Sequence, residues 1–229
     1  MKRYNIAIDG PTGSGKSTLA KHLAKRLGWA YLDTGAIYRT VGLYVYRAGK
    51  DPGNEAAIEA ILPEMDVSIA HEAEGQRVFL GREDVSDAIR TPEMASYASQ
   101  VAVHPAVRRF LLNTQRNFAR AHDVVMDGRD IGTAVLPEAD LKVFLTASLE
   151  ARAQRRYKEL KERGVAITLD EVMERIRTRD ERDTEREVSP LRAAEDAVLL
   201  DTTELDLQES IDALAALAKE RFTVGEDIK

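Results

Sequence analysis

Two glycines, a lysine and a serine near the start of the chain have the spacing of a phosphate-binding loop. Gly10, Gly15, Lys16 and Ser17 fit the pattern G-x-x-x-x-G-K-[ST]. A loop that surrounds a triphosphate must point several backbone N–H groups inward, and glycine reaches the required backbone angles without a clash of its Cβ atom. In this pattern the lysine reaches the β- and γ-phosphates, and the serine hydroxyl is a ligand of Mg²⁺. These residues therefore predict binding of a nucleoside triphosphate with Mg²⁺.

The alternative is a glycine-rich turn with a chance lysine, and the flanking segments disfavour it. The apolar run Tyr4–Ile8 predicts a strand directly before the loop. Residues Lys16–Leu27 predict a helix directly after it, because leucines recur at helical spacing and Gly28 follows as a stop. Strand, loop and helix are the context that the pattern needs, since the positive end of the helix then faces the phosphates.

Other polar residues follow the predicted strands. Five strand candidates alternate with helices, which predicts a parallel sheet covered on both faces. They are residues 4–8, 29–32, 124–126, 141–145 and 198–200. Asp9-Gly10, Asp33-Thr34 and Asp127-Gly128 come directly after three of them. Because ligands of such sheets bind at the carboxyl ends of the strands, we expect these three segments to face one crevice.

One stretch departs from the alternation of strands and helices. Val67–Ile69 and Val78–Leu80 are short β-type runs, joined by the polar stretch His71–Arg77. They predict a small antiparallel sheet inserted into the α/β chain. A short helix that ends at Pro63 precedes it, and a helix that begins at Thr91-Pro92 follows it.

Arginines are concentrated in the last third of the chain. The members of this group are Arg152, Arg155, Arg156, Arg175, Arg177, Arg179, Arg182 and Arg186. Arg179, Arg182 and Arg186 have helical spacing and could share one face. Acidic residues alternate with them, so a solvated, salt-bridged helix is the alternative. Beside a phosphate loop we favour an arginine-rich lid that excludes water and binds the transferring phosphates.

Neither a histidine nor a lone aspartate is placed as a general base. A hydroxyl acceptor would need help with deprotonation. A phosphate acceptor would not, because its second pKa is about 6 and it is largely dianionic at pH 7. The sequence therefore favours a phosphorylated acceptor.

Composition excludes several classes of function. The 229 residues include no cysteine, which rules out disulfides, thiolate nucleophiles and cysteine-ligated zinc. The net charge of −6 disfavours a nucleic acid polymer as partner. Apolar runs are too short for a membrane span or a signal peptide, so we expect a cytoplasmic protein without a membrane partner. The sequence shows no stripe of apolar residues beyond those expected in the core, and we therefore expect a monomer.

The motifs together resemble those of the bacterial cytidylate (CMP/dCMP) kinases, a family of the nucleoside monophosphate kinase group of P-loop kinases. The resemblance extends from about Tyr4 to Leu217. It rests on IDGPTGSGKST (8–18), LDTGAIYR (32–39), GREDVSDAIRTPE (81–93), ASQVA (98–102), DGRDIGT (127–133) and RDERDTERE with SPL after it (179–191). The phosphate loop alone is widespread, whereas LDTGAIYR together with DGRDIGT is far more specific.

The resemblance implies a fold and an activity. The fold is a three-layer α/β P-loop NTPase with a five-stranded parallel sheet, a monophosphate-binding insertion that contains a small antiparallel sheet, and an arginine-rich lid. The domain boundaries that we predict are 1–33, 122–150 and 191–222 for the core, 34–121 for the monophosphate-binding region with the insertion at about 64–90, 151–190 for the lid, and 223–229 for a mobile tail. The activity is transfer of the γ-phosphoryl group of ATP to CMP or dCMP, with Mg²⁺.

Matching the motifs residue by residue implies the ligands. Those of ATP are Gly10, Pro11, Thr12, Gly13, Ser14, Gly15, Lys16, Ser17, Thr18, Arg155 and Arg156, with Ser17 also on the metal. Those of CMP are Thr34, Arg39, Arg108, Arg129, Asp130, Arg179, Asp183 and Arg186. The residues expected to stabilise the transition state most directly are Lys16, Arg129 and Arg179. Asp130 can accept a hydrogen bond from the amino group of cytosine, and it would repel the carbonyl group that uracil has there.

Two other classes of function compete with this hypothesis. The nearest is another P-loop kinase of a small molecule or nucleotide, of the thymidylate, uridylate or shikimate type. The second is a nucleotide-dependent switch of the GTPase kind, which the absence of an N-K-x-D guanine-reading sequence disfavours.

Overall fold

The computed structural model describes residues 2–72 and 75–223. Its strands are β1 (Asn5–Asp9), β2 (Ala30–Asp33), β3 (Val67–Glu72), β4 (Gly75–Leu80), β5 (Glu83–Asp84), β6 (Val124–Gly128), β7 (Leu141–Thr146) and β8 (Val198–Asp201). Its α-helices are α1 (Lys16–Leu27), α2 (Thr34–Arg47), α3 (Glu55–Glu59), α4 (Pro92–Val101), α5 (Pro105–Ala121), α6 (Leu149–Glu162), α7 (Leu169–Glu185) and α8 (Leu207–Thr223). The described part of the chain is therefore an α/β fold, as predicted.

The larger sheet has five strands in the order β2-β6-β1-β7-β8. Strand β1 pairs with β7 in parallel, with Ile8 opposite Val143, and β7 pairs with β8 in parallel, with Leu145 opposite Leu200. Because β1 is the central strand, its side chains are covered on both faces, and Ile6 and Ile8 are fully buried. The predicted five-stranded parallel sheet is confirmed.

The helices begin and end where the sequence has capping residues. Thr91 accepts a hydrogen bond from the N–H of Met94 and Pro92 is the first helical residue of α4. Thr168 and Glu171 form a capping box at the start of α7. Helix α1 ends at Gly28, whose φ of 68° is a left-handed conformation that glycine adopts without strain.

The chain divides into two compact units, of which the first is Ala30–Val124 with the N-terminal residues up to Arg3. Its core includes Ala36, Leu43, Val78, Ile89 and Met94, so the small antiparallel sheet and helices α2 and α4 share one set of apolar contacts. The small sheet has the order β3-β4-β5.

The second unit is Tyr4–Trp29 with Val125–Lys229. It contains the phosphate-loop motif and the arginine-rich helices. Helices α6 and α7 pack through buried apolar residues, namely Ala153, Leu160, Val172 and Ile176. The charged sequence of these two helices therefore has a buried apolar stripe, which fixes their remaining polar faces in place.

Three details of the sequence-based prediction were wrong. The polar stretch 71–77 is not a connection, because β3 continues to Glu72 and β4 begins at Gly75. Strand pairing uses backbone groups, so polar side chains on an exposed face do not prevent it. The two-residue strand β5 was missed. The helix predicted to end at Pro63 ends earlier, at Glu59, and Pro63 lies within a 3₁₀ turn (Leu62–Glu64) that follows it. The tail predicted to be mobile lies outside the described residues beyond Thr223. The division into core, monophosphate-binding region and lid stays a prediction.

Candidate functional site

The phosphate-loop motif connects β1 to α1, as its pattern requires. Gly13 and Gly15 have φ values of 79° and 90°, which other residue types rarely adopt. Gly10 is needed for a different reason. A Cβ atom on Gly10 would lie 2.1 Å from the backbone oxygen of Leu145 on the neighbouring strand β7. The loop can therefore turn this tightly over the sheet only with glycine at position 10.

Lys16, the first residue of α1, is buried beneath the loop. Its Nζ atom donates a hydrogen bond to the backbone oxygen of Pro11 at 3.0 Å. Burial lowers the pKa of Lys16 to about 7, and the positive charge of Arg129 and Arg179 acts in the same direction. A polyphosphate in the loop would reverse this effect, because its negative charge favours the protonated amine.

Ser17 and Asp127 place two side-chain oxygen groups next to the loop. The hydroxyl of Ser17 donates to Oδ2 of Asp127 at 2.7 Å, and Asp127 lies buried near the end of β6. Oxygen ligands of this kind suit Mg²⁺, which binds through one or two protein groups together with substrate phosphates and water. Among the described residues, no group of three or more His, Cys, Asp or Glu could hold a metal ion by itself. The pair fits an ion shared with a bound triphosphate.

Arg129 connects the segment after β6 to the loop and to α7. Its Nε atom donates to Oδ2 of Asp183 at 2.7 Å, and its Nη2 atom donates to the hydroxyl of Thr12 at 2.9 Å. Burial acts to lower the pKa of Arg129, but the carboxylates of Asp183, Asp180 and Asp127 outweigh it and raise that pKa. The predicted residues Arg129 and Asp183 are therefore brought together beside the loop, with the guanidinium fully charged.

The buried carboxylate of Asp183 is surrounded by arginines. Burial acts to raise its pKa, but Arg129, Arg179 and Arg186 outweigh burial and hold the pKa of Asp183 below its usual range. Arg186 extends this network to the next predicted residue, because its Nη2 atom lies 3.7 Å from Oδ1 of Asp130. Arg129, Asp130, Arg179, Asp183 and Arg186 thus form one cluster of charges in the second unit.

The expectation that Arg179, Arg182 and Arg186 share one helical face was wrong. Helix α7 ends at Glu185, and Arg186 has the extended angles φ −61° and ψ 138°. The helical spacing therefore does not apply to Arg186. Arg179 is half-buried, whereas Arg182 is exposed.

Asp9 supports the segment that carries Arg129 and Asp130. Its two carboxylate oxygens each accept a backbone N–H bond at 2.8 Å, one from Ile131 and one from Gly132. Burial raises the pKa of Asp9 to about 6, against these two donors, which lower it. Asp9, the last residue of β1, thereby fixes the turn that follows the adjacent strand β6.

Arg152 and Asp180 were missed as site residues. Asp180 accepts a hydrogen bond from the backbone N–H of Thr12, and Arg152 donates to the backbone oxygen of Thr12, each at 2.9 Å. The two side chains also form an ion pair with each other. Arg152 was included in the arginine group of the predicted lid but was not assigned to a ligand, and Asp180 is one of the acidic residues that alternate with the arginines. Their spacing gave no sign of a contact with the loop.

The two arginines predicted to face ATP lie at different places on α6. Arg155 donates to the hydroxyl and backbone oxygen of Thr202 and to the backbone oxygen of Leu205, after β8. Arg156 forms an ion pair with Glu159 at 2.6 Å, one helical turn away, with 37% of its side chain exposed. Neither contact involves the phosphate loop.

The remaining predicted residues lie in the first unit. Thr34 is buried as the first residue of α2. Arg39 forms an ion pair with Asp33 at 2.8 Å, and Arg108 lies 5.7 Å from the ring centre of Tyr38. Gln76, which the sequence did not single out, accepts a 2.6 Å bond from the N–H of Asp33 and donates to its oxygen at 3.3 Å. The small sheet thus fixes the backbone directly before Thr34.

This arrangement suits phosphoryl transfer. Such reactions are catalysed mainly by positioning and by positive charge around the transferring group. Within the second unit, Lys16, Arg129 and Arg179 place positive charge near the loop, and Asp183 holds the guanidinium of Arg129 in place. Among the described residues, no helix is long and apolar enough to cross a membrane.

Comparisons with known proteins agree with the motifs. A family model described as cytidylate kinase matches residues 6–220. The chain is 48% identical over 219 residues to the cytidylate kinase of Exiguobacterium sibiricum, a match that covers 96% of this chain and 98% of that protein. It is 45% identical over 216 residues to the cytidylate kinase of Geobacter sulfurreducens, with 94% and 93% covered. A solved structure of an uncharacterized protein from Eubacterium ventriosum has a TM-score of 0.52 at 14% identity, with 98% of this chain and 100% of that chain covered, which is similarity of fold alone.

Proposed function

Because the chain belongs to the cytidylate kinase family, we infer that it transfers the γ-phosphoryl group of ATP to CMP or dCMP. In this reaction an oxygen of the acceptor phosphate forms a bond to the γ-phosphorus, and the bond between that phosphorus and the β–γ bridging oxygen breaks. The products are ADP and CDP or dCDP. The observation that carries the proposal is the match of the cytidylate kinase family over nearly the whole chain.

We propose that the phosphate loop, Gly10–Thr18, binds the phosphates of ATP. The loop supplies backbone N–H donors, and Lys16 lies beneath it, where its amine can approach the β- and γ-phosphates. Arg155 and Arg156 are further proposed ATP ligands. To contact ATP, Arg155 would have to leave the oxygens of Thr202 and Leu205 that it now binds.

We propose that Mg²⁺ is held by Ser17, with Asp127 as its neighbour. The ion would supply positive charge to the β- and γ-phosphates. The hydrogen bond between Ser17 and Asp127 orients the hydroxyl oxygen before the nucleotide arrives, and the buried carboxylate of Asp127 adds a negative charge beside the proposed cation.

Acceptor binding is proposed for residues of each unit. In the second unit Asp130, Arg186, Asp183, Arg179 and Arg129 form the charge cluster described above. Asp130 has the chemistry to accept a hydrogen bond from the amino group of cytosine, and Arg186 beside it can limit how far its carboxylate rotates. In the first unit the proposed ligands are Thr34, Arg39 and Arg108.

The proposed chemistry needs no general base on the protein. The acceptor phosphate is already largely dianionic at pH 7. The work of the protein is then to hold two anions close together, and Arg129 and Arg179 offset their repulsion.

An ADP-release assay across acceptors tests this proposal. CMP, dCMP, UMP, dTMP, AMP and shikimate are compared at equal concentration with ATP as donor. We expect kcat/KM for CMP or dCMP to exceed that for every other acceptor by at least about tenfold. Preference for dTMP or shikimate would assign the chain to a different kinase, and ADP release without any acceptor would indicate an ATPase.

A further inference from the structure

Thr12, in the middle of the phosphate loop, is held from outside the loop through all of its polar groups. Its backbone N–H donates to Oδ1 of Asp180, its backbone oxygen accepts from Nη1 of Arg152, and its hydroxyl accepts from Nη2 of Arg129, each at 2.9 Å. These three partners come from α7, from α6 and from the segment after β6. The conformation of the loop at this point is therefore set by side chains of other elements.

Arg152 is itself fixed from several sides. Its Nε atom donates to the backbone oxygen of Ala147 at 2.9 Å, and its guanidinium pairs with Asp180. A Cβ atom on Gly13 would lie only 3.2 Å from the Cβ atom of Arg152, so the first turn of α6 packs directly on the loop. Asp180 and Arg152 have 17% and 10% of their side chains exposed. Arg152 and Asp180 thus pack closely against residues 12 and 13 of the loop.

We propose that Asp180 is a positioning residue for ATP: with Arg152 it holds Thr12 so that the phosphate loop is already shaped for the donor phosphates. The proposal rests on the proposed function, because it takes ATP as the ligand of the loop. An N–H group that is bound to a carboxylate fixes the orientation of its peptide plane, and the adjacent peptide plane is fixed by Arg152. ATP then binds without first ordering this part of the loop.

The charge of Asp180 makes the proposal easy to distinguish from a general electrostatic effect. A carboxylate beside a triphosphate repels it, so electrostatics alone predicts that removal of Asp180 strengthens ATP binding. Positioning predicts the opposite, because the loop loses a charge-assisted hydrogen bond and must be ordered when ATP binds. The sign of the change in affinity therefore separates the two explanations.

The first experiment measures the dissociation constant of ATP for Asp180→Ala by titration without acceptor. We expect it to rise about tenfold, which corresponds to about 1.4 kcal/mol, while the KM for CMP changes less than about twofold. Glu181→Ala is the matched control, since Glu181 is the next residue on the same helix and is exposed. It should leave both constants unchanged. Asp180→Asn keeps an oxygen that can accept from Thr12, and it should recover most of the lost affinity.

The second experiment measures hydrogen exchange of the Thr12 amide in the ATP-free protein. This N–H should exchange at least about tenfold faster in Asp180→Ala than in the wild type, because it loses its acceptor. This readout does not depend on the acceptor that the enzyme uses. A failure to phosphorylate CMP would thus refute the proposed function without affecting this result.

Asp180→Glu keeps the charge but moves the carboxylate by one methylene group, and it serves as the second variant if Asp180→Ala does not fold. Electrostatics predicts no change for it, whereas positioning predicts an ATP dissociation constant at least about threefold higher. Unchanged or tighter ATP binding in the variant that folds would overturn the proposal, and so would unchanged exchange at Thr12.

Discussion

Replacing Arg129 by methionine should destabilise the protein even without ligands. The change removes the guanidinium that lies 2.7 Å from Oδ2 of Asp183, a carboxylate with only 7% of its side chain exposed. Removing one partner of a buried ion pair typically costs about 3–5 kcal/mol. Arg186 lies 4.0 Å from Oδ1 of Asp183 and compensates in part. We therefore expect a loss of about 3 kcal/mol in the free energy of unfolding, the lower end of that range.

Urea denaturation at pH 7, followed by circular dichroism, measures this loss. The wild-type pair stabilises the fold above pH 4, because Arg129 and its neighbours hold the pKa of Asp183 below its usual range, and this stabilisation is lost as the pH falls through that lowered pKa. In Arg129→Met the pKa of Asp183 rises, so the difference between variant and wild type should shrink as the pH approaches 4.

A double variant, Arg129→Met with Asp183→Leu, provides the control. Replacing both members of a buried pair by apolar groups is often close to neutral, so the double variant should be more stable than Arg129→Met alone. If the losses of the two single variants simply add, Arg129 and Asp183 do not interact as the structure indicates, and this reasoning is refuted.

Three further predictions concern ATP, Mg²⁺ and the base. Burial lowers the pKa of Lys16 to about 7, and a bound triphosphate raises that pKa, so ATP binding takes up a proton above pH 7. The dissociation constant of ATP should therefore increase by up to about tenfold per pH unit between about pH 7.5 and 9. A dissociation constant that does not change with pH would contradict this proton uptake. Ser17→Ala should raise the Mg²⁺ concentration for half-maximal activity by about tenfold while Ser17→Thr should not, and equal Mg²⁺ dependence of the two variants would remove this hydroxyl from the metal site. Asp130→Ala should raise kcat/KM for UMP relative to CMP by about tenfold, and an unchanged ratio would mean that Asp130 does not recognise the base.

Local sequence patterns predicted most of the fold. Thr91 with Pro92 marked a helix start correctly because capping depends on neighbouring residues only. Strand β5 (Glu83–Asp84) was missed for the opposite reason. Two exposed acidic residues carry no apolar pattern, and they form a strand only because β4 offers backbone partners.

The site could be predicted where a motif exists and not where contacts join distant residues. The loop glycines and Lys16 were found from their spacing alone. Asp127 was predicted to follow a strand directly, at the edge of the crevice, but its bond to Ser17 joins residues 110 positions apart. Asp180 lies in a stretch of alternating charge, and nothing local distinguishes it from the exposed Glu181 beside it. Asp180 and Glu181 have different surroundings only because α6 packs against α7.

The most direct test of the account is the affinity for a single molecule in which adenosine and cytidine are joined by five phosphates. Calorimetry should give a dissociation constant at least about tenfold below that of ATP, since one ligand then occupies the donor and acceptor positions together. The matched compound with thymidine in place of cytidine should bind more weakly. If the cytidine compound binds no more tightly than ATP, the protein does not hold a cytidine nucleotide as the acceptor, and the central claim is wrong.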